Sequence, residues 1–175
     1  NNSILLNQQP EEEERALIRH IVQTIQTGTG KKPRGWLGPA LTESHRTLDL
    51  LAEAGIEYVG DWVNDEQPYP MRVKTGSMIS IPYSIEVNDI PVFVDQKKTG
   101  EDFCKLICDQ FDGLYEDGAK TGRVMAIALH PFLIGHAHRA KYFARALAHI
   151  TSRKDVWVTT GGAIIDYYQN HYLPA

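Results

Sequence analysis

The chain has 175 residues, of which 42% are apolar and 23% are charged, and its formal net charge is −4. These values are ordinary for a soluble globular protein with a real core, and we expect one domain over residues 1–175. The negative charge without a Lys/Arg cluster argues against a nucleic-acid surface, and no apolar run approaches the roughly 20 residues of a membrane span.

The start of the chain and its cysteines bear on its location. The first residue is Asn1 rather than Met and no signal-peptide pattern follows, so we expect that an upstream segment is missing or has been removed. Cys104 and Cys108 are too few for a disulfide framework, and their spacing predicts two small buried residues on one helix face. Free cysteines favour a reducing compartment, and we expect a cytoplasmic protein.

Apolar spacing predicts helices that alternate with short strands. In chain order the predicted elements are a helix at 11–27, a strand at 35–37, a helix from Thr42 or Ser44 to Ala54, a strand at 56–59, a loop at 63–70, a strand at 77–83, a helix at 99–116, a strand at 124–129, a helix at 136–152, a strand at 156–159 and a helix from Thr160 to about Tyr172. Such alternation implies a parallel sheet with right-handed crossovers.

The number of predicted strands limits the architecture. Four or five strands are too few for a closed eight-stranded barrel, which typically needs ~250 residues. An open α/β sandwich is one arrangement that fits. Because the chain begins with a helix, it resembles a barrel entered partway round, and we predict an incomplete (β/α) barrel of mostly parallel strands.

His130 directly follows the apolar run 124–129, which is typical of a strand buried on both faces of a parallel sheet. A titratable side chain at the point where such a strand emerges occupies a recurring position for chemistry in α/β folds. The alternative is a histidine that merely caps a core strand. Arg34 and Trp62 lie beside two other candidate strands, so we expect them to converge with His130 on one pocket at the carboxyl ends of the strands.

Five short segments carry a family resemblance. They are Arg34-Gly35-Trp36, the run from Leu50 to Tyr58, Asp61-Trp62, Pro68-Tyr69 and Leu129-His130-Pro131. Together they resemble the polysaccharide deacetylase (NodB homology) superfamily, and most of all its allantoinase-like branch, over roughly residues 10–172. The resemblance implies that the chain is the C-terminal portion of a distorted (β/α) barrel of this family. It also implies hydrolysis of a carbon–nitrogen bond other than a peptide bond.

The family's chemistry relies on five motifs, and three of them have counterparts here. Arg34-Gly35-Trp36 corresponds to the third motif with Trp in place of its usual proline, Asp61-Trp62 corresponds to the fourth, and Leu129-His130 corresponds to the fifth without its spacer. The first motif supplies an aspartate base and an aspartate metal ligand, and the second supplies two metal-binding histidines. Neither has a counterpart, although Asn1-Asn2-Ser3 resembles the tail of the second.

The reaction assigns roles to the candidate residues. Amide hydrolysis needs an activated water, a means of holding the oxyanion, and a proton for the departing nitrogen. His130 suits the proton donor because an imidazole changes its charge near neutral pH, and Arg34 can orient an acidic group or instead form a surface salt bridge. Trp62 offers a flat wall for a ring or sugar face, unless it is core. The other candidate substrate contacts are Trp36, Asp61, Asp65, Tyr69 and His138.

The His136-Ala137-His138 segment has the spacing of a zinc-ligand pair. At a helix start, however, side chains two residues apart diverge, and no third ligand is near in sequence. We therefore favour His138 as a substrate contact. The cofactor is unknown, and a divalent metal such as zinc is compatible with the resemblance although its usual family ligands are absent from this chain.

Three functional interpretations stay open at this point. The first is a hydrolase of a small amide or ureide that is active only when complete, so that this chain alone is inactive. The second is a non-catalytic ligand-binding or structural barrel fragment, and the third is an amidohydrolase that uses His136 and His138 as metal ligands. An incomplete barrel leaves apolar faces that another chain must cover, so we expect either a second copy or an amino-terminal segment as partner. We also expect a small-molecule substrate, and neither nucleic acid nor a membrane as partner.

Overall fold

The computed structural model describes residues 4–173, in which helices alternate with short strands. The helices are α1 (Glu11–Thr29), α2 (Thr47–Glu53), α3 (Gly100–Gly118), α4 (Pro131–Ile134), α5 (Ala137–Thr151) and α6 (Gly161–Tyr172), and the strands are β1 (Gly35–Trp36), β2 (Tyr58–Val59), β3 (Tyr69–Met71) and β4 (Met78–Ser80). These residues fall into two compact units: the first contains residues up to 62, 68–81 and those from 159 on, and the second contains 63–67 and 82–158.

The first unit is built on an open sheet with the strand order β1-β2-β4-β3. Strands β1, β2 and β4 run parallel, and β3 runs antiparallel at the edge. The apolar faces of α1 and α2 pack with residues of the sheet in a core formed by Ile18, Val22, Leu50, Leu51, Ile56, Val59 and Met78. The predicted α/β class with a mostly parallel sheet is therefore confirmed.

A buried carboxylate also joins α1 to the segment that precedes and begins α2. Glu14 is fully buried, and it accepts hydrogen bonds from the hydroxyl groups of Ser44 and Thr47. A buried charge is costly unless its oxygens are bonded, so these two hydroxyls are what allow Glu14 to lie in the interior. Helix α2 begins at Thr47, later than the sequence pattern predicts.

The second unit is dominated by the packing of α3 against α5. Its core contains Phe103, Ile107, Phe111, Ala146 and Ile150, together with residues from 87–93 and from α4. Helix α3 begins with a capping box, in which the Thr99 side chain accepts from the backbone of Asp102 and the Asp102 carboxylate accepts from the backbone of Thr99. Cys104 is buried and Cys108 is half-buried, and both lie beside this core as small apolar residues.

Three strand segments differ from the sequence prediction. The run 124–129 forms no regular strand, and Ala128 makes an isolated parallel bridge with Asn88. Residues 156–159 pair with no strand in the described part of the chain. Conversely, β3 lies where a loop is predicted. Its central residue, Pro70, lacks a backbone N–H and is therefore tolerated in an edge strand, which explains how a proline-bearing segment joins the sheet.

Helix length and polarity also bear on membrane association. Across residues 4–173, none of the helices combines the length and the apolar character needed to cross a bilayer.

Candidate active site

In the second unit, local backbone pairing brings an aspartate beside His130. The Ala128 N–H donates to the Val87 carbonyl at 2.9 Å, and the Asp89 N–H donates to the Ala128 carbonyl at 3.1 Å. These bonds align the segment around Asn88 in parallel with the segment around Ala128. Asp89 and His130 each follow the bridged pair by one or two residues, so their side chains meet at the same end of the two segments.

The Asp89 carboxylate binds His130 twice. Its Oδ2 accepts from the His130 backbone N–H at 2.8 Å, and its Oδ1 lies 2.6 Å from the ring Nδ1. Asp89 is fully buried, whereas the His130 side chain is 34% exposed. Because an ionised carboxylate only accepts hydrogen bonds, this geometry assigns the Nδ1 proton to the shared bond and leaves Nε2 available for proton transfer.

The surroundings of the His130 ring are partly apolar. His130 is the residue before α4, and the first residue of that helix is Pro131. Phe132 is 66% exposed, and the centre of its ring lies 5.6 Å from the centre of the imidazole. An exposed aromatic ring therefore lies next to the imidazole of His130.

In the first unit, Asp61 and Trp62 follow the carboxyl end of β2. Asp61 is buried, and its Oδ1 accepts from the Gly38 N–H at 2.6 Å. A Cβ atom at Gly38 would come within 2.7 Å of Asp61 Oδ2 and 3.0 Å of the Thr42 carbonyl, so the turn needs glycine at this position. The Trp62 indole is 43% exposed, and its Nε1–H donates to Glu43 Oε2 at 3.2 Å.

Glu43 and Asp61 form a pair of interacting carboxyl groups. Burial first, and then the neighbouring charge of Asp61, raises the pKa of Glu43 to about 8. Burial likewise raises the pKa of Asp61 above its ordinary value, against the lowering effect of the Gly38 N–H. Two carboxyl groups in such surroundings cannot both ionise easily, because burial and mutual repulsion each disfavour the charged form.

Arg34 is held by two carboxylates of the first unit. Its Nε and Nη2 donate to Glu57 Oε2 at 3.0 and 2.7 Å, and its Nη1 and Nη2 donate to the Asp166 oxygens at 3.2 and 2.5 Å. The hydrogen bonds, with that to Asp166 contributing most, raise the pKa of Arg34 above its ordinary value. The guanidinium group is therefore held in a surface salt bridge with two carboxylates.

The strand register corrects the predicted location of Arg34. Gly35 pairs with Tyr58, so Arg34 lies opposite Glu57 at the amino ends of β1 and β2. Asp61, by contrast, follows the carboxyl end of β2. The prediction that Arg34 lies at the carboxyl ends of the strands is wrong, since the residue precedes its strand. The salt-bridge alternative is the one observed, and a catalytic role of Arg34 stays a prediction.

A substitution separates the two roles of Arg34. Replacing it by Lys keeps the charge and removes the planar fork that binds two carboxylates at once. The side chains of Arg34, Glu57 and Asp166 are all at least a third exposed, so solvent weakens their interaction. We therefore expect Arg34→Lys to lose about 0.5–1 kcal/mol of unfolding free energy, measured by urea denaturation. The control is Arg19→Lys, on the exposed face of α1. Unchanged stability together with a large fall in kcat would instead make Arg34 catalytic.

The remaining candidate substrate contacts lie in different surroundings. Trp36 packs against the core of the first unit, and its Nε1 is shielded from solvent without a hydrogen-bond partner among the described residues. Tyr69 is half-buried at the start of β3. Asp65 is exposed, accepts from the Gln67 N–H at 2.9 Å, and lines a cavity of about 380 Å³ in the second unit. His138 is exposed in the first turn of α5.

The described residues do not fit a metal centre. Within residues 4–173, no group of three or more His, Cys, Asp or Glu side chains is placed to hold an ion. The rings of His136 and His138 are 5.7 Å apart between centres, at the N-cap and in the first turn of α5. Zinc sites use three or four such ligands. We therefore assign no step of a reaction to a metal bound by these residues.

The structure brings only some of the candidate site residues together. Asp61 and Trp62 lie together with Glu43 in the first unit, and His130 lies with Asp89 in the second. Trp62 and His130 belong to different units, and their convergence on one pocket stays a prediction. The segment Asn1-Asn2-Ser3, compared with the second family motif, lies outside the described residues.

Two functional candidates were missed from the sequence. Asp89 is the one acidic residue in Val87-Asn88-Asp89-Ile90-Pro91, and an acid beside apolar residues was an available signal of a buried, hydrogen-bonded carboxylate. Glu43 gives no comparable signal, because an acidic residue just before a helix is common at an exposed helix start. Its importance depends on Asp61, which is 18 positions away in the sequence.

Two curated proteins are similar in sequence to this chain. A Schizosaccharomyces pombe protein assigned to the polysaccharide deacetylases is 32% identical over 168 residues, which cover 86% of this chain and 52% of that protein. The peptidoglycan deacetylase of Helicobacter pylori is 23% identical over 193 residues, which cover 91% of this chain and 65% of that protein. The chain thus spans 52% to 65% of the length of these relatives. No family model matches the chain.

Solved structures share the fold of this chain. A Pseudomonas aeruginosa protein assigned to the polysaccharide deacetylases matches with a TM-score of 0.88 and 29% identity, covering 97% of this chain and 57% of that one. The Puue allantoinase matches with a TM-score of 0.89 and 28% identity over the same shares. A Mycobacterium smegmatis protein, with a TM-score of 0.83, 24% identity and shares of 94% and 59%, agrees in fold. The predicted fold class is confirmed.

Proposed function

Because the chain belongs to the polysaccharide deacetylase superfamily, we propose that it forms part of a hydrolase that breaks carbon–nitrogen bonds other than peptide bonds. The observation that carries this proposal is the pair of hydrogen bonds between Asp89 and His130. A buried carboxylate that fixes a partly exposed imidazole is an arrangement suited to proton transfer. We propose a small amide or cyclic ureide as the substrate, which the likeness to an allantoinase structure supports.

The proposed reaction is the attack of water on the carbon of an amide or ureide carbonyl. The oxygen of water forms a new bond to that carbon, and the carbonyl oxygen takes up the negative charge of the tetrahedral intermediate. When the intermediate collapses, the carbon–nitrogen bond breaks and Nε2 of His130 gives its proton to the departing nitrogen. The base that takes the proton from water is, in the resemblance, the aspartate of the first motif, which this sequence lacks.

Asp89 contributes to this step without touching the substrate. Its Oδ1 holds the Nδ1 side of the ring, and its Oδ2 holds the backbone of the same residue, so the ring has little freedom to turn. The charged form of the imidazole is the one that can donate a proton, and Asp89 Oδ1 accepts the Nδ1 hydrogen of that form. Asp89 is therefore a positioning residue, and His130 is the catalytic residue of the proposal.

Assays of hydrolysis test the proposal. We expect the 175-residue chain alone to release no amine, ammonia or acetate from allantoin, N-acetylglucosamine oligomers or simple amides, since it lacks the first two motifs. A polypeptide that joins this chain to a segment supplying those motifs should turn over at least one of these substrates. Robust turnover by the chain alone would overturn the assignment of roles. Inactivity of the joined polypeptide on all of them would favour the non-catalytic alternative.

A further inference from the structure

We propose that Glu43 is a positioning residue that shares one proton with Asp61 and thereby sets the place of the Trp62 indole. The three side chains belong to the first unit and converge from two segments, the one before α2 and the one after β2. The role of Trp62 as a substrate wall rests on the proposed function, whereas the shared proton and its effect on the indole do not.

Hydrogen bonds from other groups reach two of the four oxygens of this carboxyl pair. Glu43 Oε2 accepts from the Trp62 indole, and Asp61 Oδ1 accepts from the Gly38 N–H. Glu43 Oε1 and Asp61 Oδ2 are both shielded from solvent, and no N–H or O–H group of the described residues donates to either. Asp61 as a whole is only 8% exposed. A proton held between the two carboxyl groups satisfies both of these oxygens with one bond.

The neighbouring charges favour keeping that proton. Burial disfavours the charge on Glu43 most strongly, and the acidic neighbours Asp61 and Glu14 disfavour it further. Arg46, the nearby cation, has its Nη2 3.9 Å from Glu14 Oε2. Among interacting carboxyl groups the proton belongs to the pair, which then titrates as one unit. With burial raising the pKa of Glu43 to about 8, the pair stays singly charged at neutral pH.

The consequence for Trp62 follows from the hydrogen bonds. While the pair holds its proton, Glu43 faces Asp61 through one oxygen and accepts the indole N–H through the other. Loss of the proton places two negative groups side by side, and repulsion moves the more exposed group, Glu43, away from Asp61. The Trp62 indole then either moves with the Glu43 carboxylate or loses its hydrogen bond to it. The position of Trp62 should therefore change with a midpoint near pH 8.

Two isosteric variants make this testable. In Glu43→Gln the amide oxygen still accepts from Trp62, and the amide NH₂ donates to Asp61, so the arrangement of the protonated pair is kept without a titrating proton. Asp61→Asn does the same from the other side, because its amide oxygen still accepts from Gly38. If one of the two variants fails to fold, the other gives the same comparison.

The experiment is a pH titration of tryptophan fluorescence between pH 6 and pH 9.5. We expect a change with a midpoint near pH 8 in the unaltered chain, and its loss in Glu43→Gln, in Asp61→Asn and in Trp62→Phe. Trp62→Phe is the control that shows whether Trp36 and Trp157 contribute to the fluorescence change. A midpoint that persists in Glu43→Gln, or the absence of any change near pH 8 in the unaltered chain, would overturn the proposal.

The stability of the chain gives a second readout with a defined sign. A raised pKa means that the folded state binds the proton more tightly than the unfolded chain. The resulting stabilisation is fully present below the ordinary pKa of 4.5 and is lost as the pH rises through about 8. The unfolding free energy of the unaltered chain should fall over this range relative to Glu43→Gln. Parallel pH dependences for the two proteins would contradict a shared proton at this site.

An active polypeptide that contains the chain allows a kinetic comparison. There the KM of the unaltered protein should rise above pH 8, while the KM of Glu43→Gln stays constant over the same pH range. If the fluorescence result holds and KM does not respond, the shared proton stands and the proposed role of Trp62 as a substrate wall fails. The two proposals are thus tested separately.

Discussion

Replacing His130 by Ala in an active polypeptide that carries this chain should lower kcat by about 10²–10⁴-fold, the usual contribution of a general acid. The departing nitrogen would then leave without a proton from Nε2, and this loss is felt mainly in the transition state. Substrate affinity should therefore change far less than kcat. The half-exposed ring, held by a buried carboxylate, is the structural reason to expect an effect of this size.

Steady-state kinetics with two substrates would measure this effect. A substrate with a better leaving group needs less proton donation, so it should recover much of the lost rate in His130→Ala. His20→Ala is the matched control, since His20 is an exposed histidine on α1. An equal loss of rate for good and poor leaving groups would show that His130 does not act as the proton donor.

The sequence predicts the fold class well because local patterns determine most of it. The apolar spacing of α1, the capping box at Thr99 and the threonine cap of α6 are all encoded within a few residues, and the helices begin or end close to the predicted positions. Strands are less well predicted. The run 124–129 has the composition of a buried strand, but a ladder also needs neighbouring strands, and Ala128 finds only one bridge, to Asn88.

The candidate site shows the same division between local and distant information. His130 was identified from the apolar run before it, which is a local signal. Its partner Asp89 is 41 positions away, and only the parallel alignment of the two segments brings them together. Arg34 directly precedes its strand, so chain order alone places it at the amino end, and the expectation of a pocket at the carboxyl ends was wrong for this residue.

Pairs of acidic residues are especially difficult to identify from sequence. Glu43 is unremarkable in the sequence, and Asp61 is identified only as a candidate substrate contact, so nothing in the sequence links the two. Their properties arise from shared burial and from the exclusion of other donors, which are features of the folded chain. The same holds for Glu14, whose burial depends on two hydroxyl groups about 30 positions away. Functional pairs of this kind follow from tertiary structure rather than from a motif.

Replacing Asp89 by Asn should lower kcat by about 10- to 100-fold, the equivalent of one charge-assisted hydrogen bond of about 1.5–3 kcal/mol. An amide has one accepting oxygen, whereas Asp89 accepts from both the backbone N–H and the ring of His130. If the amide oxygen keeps the backbone bond, the NH₂ group faces Nδ1, and that nitrogen must become an acceptor. The proton then moves to Nε2 of a neutral ring, which is a poor acid.

Nitrogen-15 NMR of the His130 ring distinguishes the two tautomers directly. We expect Nδ1 to carry the proton in the unaltered chain and Nε2 to carry it in Asp89→Asn, with the fall in kcat measured in the active polypeptide. Asp117→Asn, at an exposed position on α3, is the control for a simple change of charge. A changed tautomer with unchanged kcat would mean that His130 is oriented by Asp89 but takes no part in proton transfer. An unchanged tautomer with reduced kcat would indicate that the carboxylate acts mainly through its charge, by stabilising the protonated imidazole.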